Sequence, residues 1–371
     1  MVKVKDIVSR FAEFAPPFMA EKGDPIGLQL GSLEAEVHKL MVTLDVRPEV
    51  VQEAIKNKVD FIFAHHPAMF KPIKQFDLAD PQNRMYAELL KHNITVFAAH
   101  TNLDNANGGM NDWLAEKMNL KKTSILLPAK HEQMFKLAVF VPQKDAPKMR
   151  AALGAVDAGK VGNYNNCSYS LEGVGRFQPN NQAHPTIGKK GSLTEVEEEK
   201  IEVVLPARKK SAVLKAMFTA HPYEEPVFDL FKIEEFGQKY GMGRIGFLEE
   251  PQTVRQYAEF CKKIFKLQSL RVVSKEPNKK IERVAVLGGS GGKFYPEAQQ
   301  QGAQLYVTGD ISYHTGHDIL ASGLSALDPG HHIESICKEK LLELFTKWNV
   351  ENDWKLRLIA SKLNTDPFMF I

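Results

Sequence analysis

Two short runs of apolar residues constrain the fold of this chain most strongly. Residues 59–64 (VDFIFA) and 94–99 (ITVFAA) are continuous, have the length of a strand, and are separated by a helical pattern near residues 85–93. Continuous apolar runs are typical of strands that are buried on both faces, as in parallel sheets covered by helices. The sequence therefore predicts βαβ units and an α/β fold.

The C-terminal part of the chain has a similar order of elements. Residues 282–292 (ERVAVLGGSGG) predict a strand that runs into a glycine-rich turn, and residues 303–310 (AQLYVTGD) predict a strand that ends at Asp310. A helix is predicted over residues 314–323, and a longer amphipathic helix begins near His331. We expect two related lobes with mostly parallel sheets. The glycine-rich turn at residues 288–292 fits either a phosphate cradle or a tight turn.

The middle of the chain has a different pattern. Residues 126–235 predict the order strand, helix, strand, strand, helix, strand, which is the ferredoxin-like α+β arrangement. The polar segment between residues 178 and 191 would form its long hairpin loop. We therefore expect a discontinuous domain of residues 1–125 and 236–371, with a compact domain of residues 126–235 inserted into it.

Charge and cysteine content narrow the classes of function. The 48 basic side chains nearly balance the 45 acidic ones, so a net charge of +3 gives no reason to expect nucleic acid as a partner. The three cysteines have no CxxC spacing, which fits a reducing compartment. The N-terminus is charged, without the apolar core of a signal peptide, and no apolar run reaches the ~18 residues that span a bilayer. We expect a cytoplasmic protein without membrane association.

Histidines follow several of the predicted strands. In parallel α/β folds, ligands bind beyond the carboxyl ends of the strands, and isolated structural histidines would not cluster there. His65 and His66 end one apolar run, and Pro67 enforces an extended exit that can direct the two imidazoles toward two neighbouring ions. An isolated histidine pair is more often packing or surface decoration, so this interpretation depends on further ligands.

Those further ligands come from two other positions. His331 and Glu334 have the i, i+3 spacing that places them on one face in the first turn of a helix. Glu334 would be stabilised there as the anion and could bridge two cations, and Asp104 offers a second carboxylate. The sequence thus predicts two divalent ions held by His65, His66, Asp104, His331 and Glu334. Imidazole and carboxylate ligands favour zinc first, with iron, manganese or nickel as alternatives.

Three further residues are candidates for proton transfer: His100, Asp310 and His314. Each could instead ligate a metal or orient a ligand, and Asp310 could equally cap a helix. The pattern Gly241-x-Gly243-x-x-Gly246 matches a dinucleotide fingerprint, but it lacks the preceding βα context and is interpreted as a linker turn.

Several motifs together resemble those of the GTP cyclohydrolase 1 type 2 family, also called the NGG-interacting-factor-three-like family. The motifs are residues 27–31 (GLQLG), 43–46 (TLDV), 61–70 (FIFAHHPAMF), 98–112 (AAHTNLDNANGGMND), 306–310 (YVTGD) with His314, and 328–334 (DPGHHIE). The middle segment is similar to the PII/CutA-like domain of the long bacterial members. The resemblance implies a two-metal centre at the same five residues and a hexameric ring.

The function that follows is metal-dependent hydrolysis of a nucleotide such as GTP, where the substrate comes from the resemblance alone. The alternative is a non-catalytic metal-binding regulatory or scaffold protein, with the PII-like insert as a sensor.

Overall fold

The computed structural model describes residues 1–234 and 237–371, and these form two compact units. The first unit comprises Met1–Lys130 and Tyr240–Ile371, and the second comprises His131–Lys239. The predicted domain boundary between residues 235 and 236 lies outside the described residues.

The helices and strands alternate along much of the first unit. The helices are α1 (Val4–Phe14), α2 (Pro48–Lys56), α3 (Pro81–Lys91), α4 (Thr101–Asn105), α5 (Met110–Lys117), α6 (Ala146–Gly154), α7 (Lys210–Ala220), α8 (Val254–Ile264), α9 (Tyr295–Gln300), α10 (Tyr313–Ser322) and α11 (Ile336–Glu351). The strands are β1 (Gly27–Leu30), β2 (Lys39–Thr43), β3 (Phe61–Ala64), β4 (Thr95–Ala98), β5 (Lys121–His131), β6 (Met134–Pro142), β7 (Tyr169–Phe177), β8 (Thr194–Pro206), β9 (Phe228–Ile233), β10 (Lys239–Thr253), β11 (Arg271–Val273), β12 (Lys280–Val286), β13 (Leu305–Val307), β14 (Ser325–Asp328) and β15 (Arg357–Ala360).

The first sheet of this unit has the strand order β1-β4-β3-β2-β15 and is parallel except at β1. Every residue of β3 is buried, as its continuous apolar run predicts. The edge strand β1 lies in the segment that the sequence analysis treated as turns. Its four residues include exposed Leu28, so the apolar pattern of a buried strand is missing.

The second sheet has the order β11-β14-β13-β12-β10-β5. Its centre, β12-β13-β14, is parallel, whereas β10 and β11 pair antiparallel with their neighbours, so this sheet is less parallel than expected. The linker turn predicted at Gly241–Gly246 is wrong, because this segment lies within β10. A Cβ at Gly241 would lie 2.0 Å from the Leu127 carbonyl oxygen, so glycine permits a close backbone approach there.

One apolar core joins the two sheets of the first unit. It contains Leu114 of α5 and Phe345 of α11 together with Phe63 of β3 and Val286 of β12. Helices α2 and α3 cover the other face of the first sheet, and α9 and α10 cover the other face of the second. This shared core fixes the strand ends of one sheet relative to those of the other.

In the second unit the sheet order is β7-β8-β6-β9, with antiparallel pairing throughout. Helices α6 and α7 pack on one face of the sheet, over an apolar core that includes Leu137, Ile201 and Met217. Among the described residues of the whole chain, we find no helix with the length and apolar character needed to cross a membrane.

Candidate metal centre

The five predicted metal ligands lie at the carboxyl ends of parallel strands. His65 and His66 directly follow β3, and Asp104 lies in α4, just after β4. His331 and Glu334 follow β14, but in a 3₁₀ turn (His331–Ser335) that precedes α11, not in the α-helix that the sequence predicted. Side chains at i and i+3 eclipse in a 3₁₀ turn, so these two point the same way.

Glu334 is at the centre of the cluster. Its Oε2 atom lies 3.1 Å from Nε2 of His66, 3.1 Å from Nε2 of His331 and 3.8 Å from Nε2 of His65. Asp104 Oδ1 lies 3.6 Å from the same His65 Nε2 atom. The cluster therefore contains two overlapping sets that could each hold a metal ion, with ligand atoms within 4.8 Å of one another. We call His65, Asp104 and Glu334 the buried group, and His66, His331 and Glu334 the open group.

A separate oxygen atom orients each of the three imidazoles. The acceptors for the Nδ1 atoms are the carbonyl of Ala99 for His65 at 2.8 Å, Oδ1 of Asp45 for His66 at 2.7 Å, and Oδ2 of Asp310 for His331 at 2.7 Å. Metal-ligating histidines are typically held this way, which leaves Nε2 for the ion. Sequence reasoning missed Asp45, although it follows β2 at the same sheet edge and lies in the TLDV motif.

The buried group contains polar atoms that lack a hydrogen bond. His65 is fully buried, and its Nε2 atom and Asp104 Oδ1 have no hydrogen-bond partner among the described residues. Buried polar atoms without partners cost free energy and call for an unmodelled ion or water. An imidazole nitrogen and a carboxylate oxygen that face each other fit a divalent cation, so these residues suit the implied metal.

Protonation in the buried group is set by its lack of solvent. Burial lowers the pKa of His65 to about 3, against the opposing effect of Glu334. Burial, with the neighbouring charge of Glu334, raises the pKa of Asp104 well above its usual range. In the absence of metal at neutral pH, His65 is thus neutral and Asp104 carries a proton.

The open group has the opposite character. Burial alone would lower the pKa of His66, but hydrogen bonds to Asp45 and Glu334 raise it to about 10. The hydrogen bond to Glu334 is the main cause that raises the pKa of His331 to about 9. Although burial opposes it, hydrogen bonds from both histidines hold the pKa of Glu334 well below its usual range. Without metal, protons therefore occupy the positions that an ion would take.

A cavity of about 700 Å³ adjoins the cluster. His100, one of the three predicted proton-transfer residues, lines it, and its Nδ1 atom lies 2.8 Å from Oδ1 of Asp24. Burial would raise the pKa of Asp24, but hydrogen bonds from His100 and Thr101 lower it below the usual value. This carboxylate fixes the ring of His100, and sequence reasoning missed it.

The other two proton-transfer candidates lie elsewhere. Asp310 contacts His331 rather than the cavity, and Ser312, not Asp310, caps the following helix α10. His314 is exposed on α10, where its ring contacts Tyr313, and the described cavity lining does not include it. The structure therefore does not bring His314 to the metal ligands.

The glycine-rich turn borders the cavity but is engaged with the protein itself. The Gly288 N–H donates to Asn111 and the Gly291 N–H donates to Thr308. A Cβ at Gly288 would lie 2.7 Å from Oε1 of Glu334. These contacts favour the tight-turn interpretation, because a larger residue would displace the shared carboxylate.

The fold and the site define a mixed α/β protein with several sheets and a histidine–carboxylate cluster that could hold metal ions. A profile of the family Duf34/NIF3 (NGG1p interacting factor 3) matches residues 2–367. The chain belongs to this family.

Relatives of known sequence cover the whole chain. A protein of Bacillus subtilis (strain 168), named GTP cyclohydrolase 1 type 2 homolog, is 40% identical over 370 residues, which are 100% of this chain and 99% of the relative. A relative of the same name from Listeria innocua is 42% identical over 359 residues, 96% of each chain.

Solved structures agree with this assignment. A Bacillus cereus protein related to NIF3 superimposes with a TM-score of 0.92 at 40% identity, covering 100% of this chain and 99% of that one. The Staphylococcus aureus protein SA1388 has a TM-score of 0.79 at 31% identity, with the same coverage.

Proposed function

We propose that this protein is a metal-dependent hydrolase with two ions per chain, one in the buried group and one in the open group. The observation that carries the proposal is the position of Glu334 Oε2, which lies near the Nε2 atoms of both His66 and His65. A single carboxylate shared by two sets of ligands is the arrangement that a pair of ions requires. Ions held there would supply positive charge that polarises an electrophilic centre and makes water more acidic.

The residues of the chain divide the remaining work. His100 lines the cavity with its ring held by Asp24, so it is placed to take or return a proton at Nε2. Asp45 and Asp310 hold the imidazoles of the open group in position. Burial of Asp104 and Glu334 excludes water from one side of the site, which strengthens the electrostatic interactions there.

A nucleotide is the substrate class that we propose. Phe70 and Phe294 line the cavity with apolar, planar surface on which a base could stack. Lys293 is the basic side chain among the described lining residues, and it can meet a phosphate. The names of the two relatives support the same class, as GTP cyclohydrolase 1 type 2 homologs.

Further parts of the proposal concern the ions and the assembly. We propose zinc as the native metal, a hexameric ring and a cytoplasmic location. For the second unit we propose a ferredoxin-like insert, supported by the strand order β7-β8-β6-β9 and by two helices on one face.

Turnover of a nucleotide panel tests the central claim. Zinc-loaded protein should release hydrolysis product from at least one purine nucleotide, and His65→Ala should abolish it, because the buried group then loses its only imidazole. His92→Ala is a matched control, since His92 lies at the end of α3 and pairs with Glu88. Activity that survives in His65→Ala would overturn the hydrolase proposal. Absence of turnover on every nucleotide would instead favour the regulatory or scaffold function.

A further inference from the structure

The second unit contains a cavity of about 450 Å³, to which neither the family nor the proposed hydrolase assigns a role. It lies against one face of the β7–β8 hairpin and is closed by the loop after β7 and by the segment before β9. The cavity and its lining belong entirely to the second unit.

Glycines leave the floor of this cavity bare. Gly173 and Gly175 alternate along β7 on the face that carries Glu198, which pairs with Gly173 on β8. A Cβ at Gly175 would lie 2.2 Å from Oε2 of Glu198, while one at Gly173 would meet nothing within 4 Å. Glycine inside a strand marks a place where a ligand or another group approaches closely. Here the Glu198 carboxylate lies directly on exposed backbone.

Aromatic rings form the walls around that carboxylate. The Tyr223 hydroxyl donates to Oε1 of Glu198 at 3.1 Å, and the ring of Phe177 packs edge-on against Tyr223 with centroids 5.8 Å apart. Phe140 lines the same cavity. Rings of this kind attract cations to their faces and offer apolar surface to the rest of a ligand.

The charges of the lining favour the same ligand. Three carboxylates line the cavity, those of Glu198, Glu224 and Glu225, against a single cation, Arg176. Arg176 already has a partner outside the lining, because its Nε donates to Glu195 at 2.8 Å. An anionic ligand would meet uncompensated negative charge, whereas a cation would find an acceptor.

We propose that this cavity binds a small organic cation, with a primary ammonium group on the Glu198 carboxylate and an apolar body between Phe140, Phe177 and Tyr223. The proposal is independent of the metal centre and goes beyond the proposed hydrolase function. It assigns the second unit the role of a ligand-binding module.

Calorimetric titration of the full-length, metal-loaded protein with three matched probes tests the charge requirement. The probes are 2-phenylethylamine, 2-phenylethanol and 3-phenylpropanoate, which share an aromatic body and differ in charge. We expect the amine to bind, the alcohol to bind about tenfold more weakly or worse, and the carboxylate to give no heat of binding. Equal binding of all three, or no binding of the amine, would overturn the proposal.

Two substitutions locate the site. Glu198→Gln keeps the shape of the side chain and removes its charge, so the amine should lose its advantage over the alcohol. Glu197→Gln is the control, because the neighbouring residue points to the opposite face of β8 and pairs with Val174. If Glu198→Gln does not fold, Gly175→Ala serves instead, since its methyl group displaces the carboxylate. Amine binding that is unchanged in the cavity variants, or lost equally in Glu197→Gln, would refute the assignment.

Discussion

The buried group and the open group share Glu334, yet they solve the same problem in opposite ways. In the buried group, His65 Nε2 and Asp104 Oδ1 face each other without a hydrogen bond, and burial holds His65 neutral. In the open group, each imidazole lies between two carboxylates and carries a proton. The first group is unsatisfied without an ion, whereas the second is satisfied by protons.

This difference teaches how the two positions should fill. Metal binding releases the protons that ligands hold. The buried group has one proton to lose, from Asp104, and the open group has two, from His66 and His331. We therefore expect the buried group to fill first at neutral pH and the open group to compete more strongly with protons.

Glu334→Gln should have the largest effect, because it removes the charge that both groups share. Replacing residues that merely orient metal ligands costs about 10–100-fold in affinity, so loss of a shared ligand should exceed that for both ions. Metal content after dialysis, measured by plasma mass spectrometry, should fall from two equivalents to less than one. Glu339→Gln, an exposed glutamate in the first turn of α11, is the control and should retain both. Two retained equivalents in Glu334→Gln would show that the carboxylate is not shared.

Single substitutions should separate the groups. His65→Ala removes the imidazole of the buried group, and His331→Ala removes one from the open group, so each variant should bind one equivalent instead of two. The ion that remains should be bound more tightly in His331→Ala, since the buried group has fewer protons to displace. Competition with a chromogenic chelator measures both affinities. Loss of both ions in either variant would mean that the two positions fill only together.

Much of this site could be predicted from the sequence because it depends on local patterns. The apolar run of β3 places His65 and His66 at a strand end, and the i, i+3 spacing places His331 beside Glu334. A strand end also fixes which edge of a parallel sheet a residue occupies. Local signals of this kind were sufficient to select all five ligands.

The rest depends on packing between elements that are distant in sequence. The contact between His66 and Glu334 spans 268 residues and is set by the core between the two sheets. Asp24 meets His100 from a segment with no periodic pattern, so nothing local marked it. His314 also follows a strand, but it lies on the exposed side of α10, because strand-end position does not determine which way a helical residue points.

The pH dependence of binding should differ between the two groups. The pKa values of His66 and His331 are raised to about 10 and 9, so both are protonated at pH 7 and both protons must leave. Affinity of the open group should therefore rise about 100-fold per pH unit near pH 7–8, and that of the buried group about tenfold. Zinc titrations of His65→Ala and His331→Ala over that range report the two slopes. Equal slopes would contradict the assigned protonation states.

Thr365→Val should have the smallest effect, confined to the open group. The Thr365 hydroxyl donates to Oδ2 of Asp45, whose Oδ1 accepts from His66, so the C-terminal segment supports this imidazole through one carboxylate. Valine keeps the shape and removes the donor, which should weaken metal binding about tenfold or less, below the range for direct orienting residues. Thr365→Ser should restore the affinity, because it keeps the hydroxyl. In the His331→Ala background, where only the buried group binds, Thr365→Val should change nothing. An equal loss there would show a general structural effect rather than support of His66.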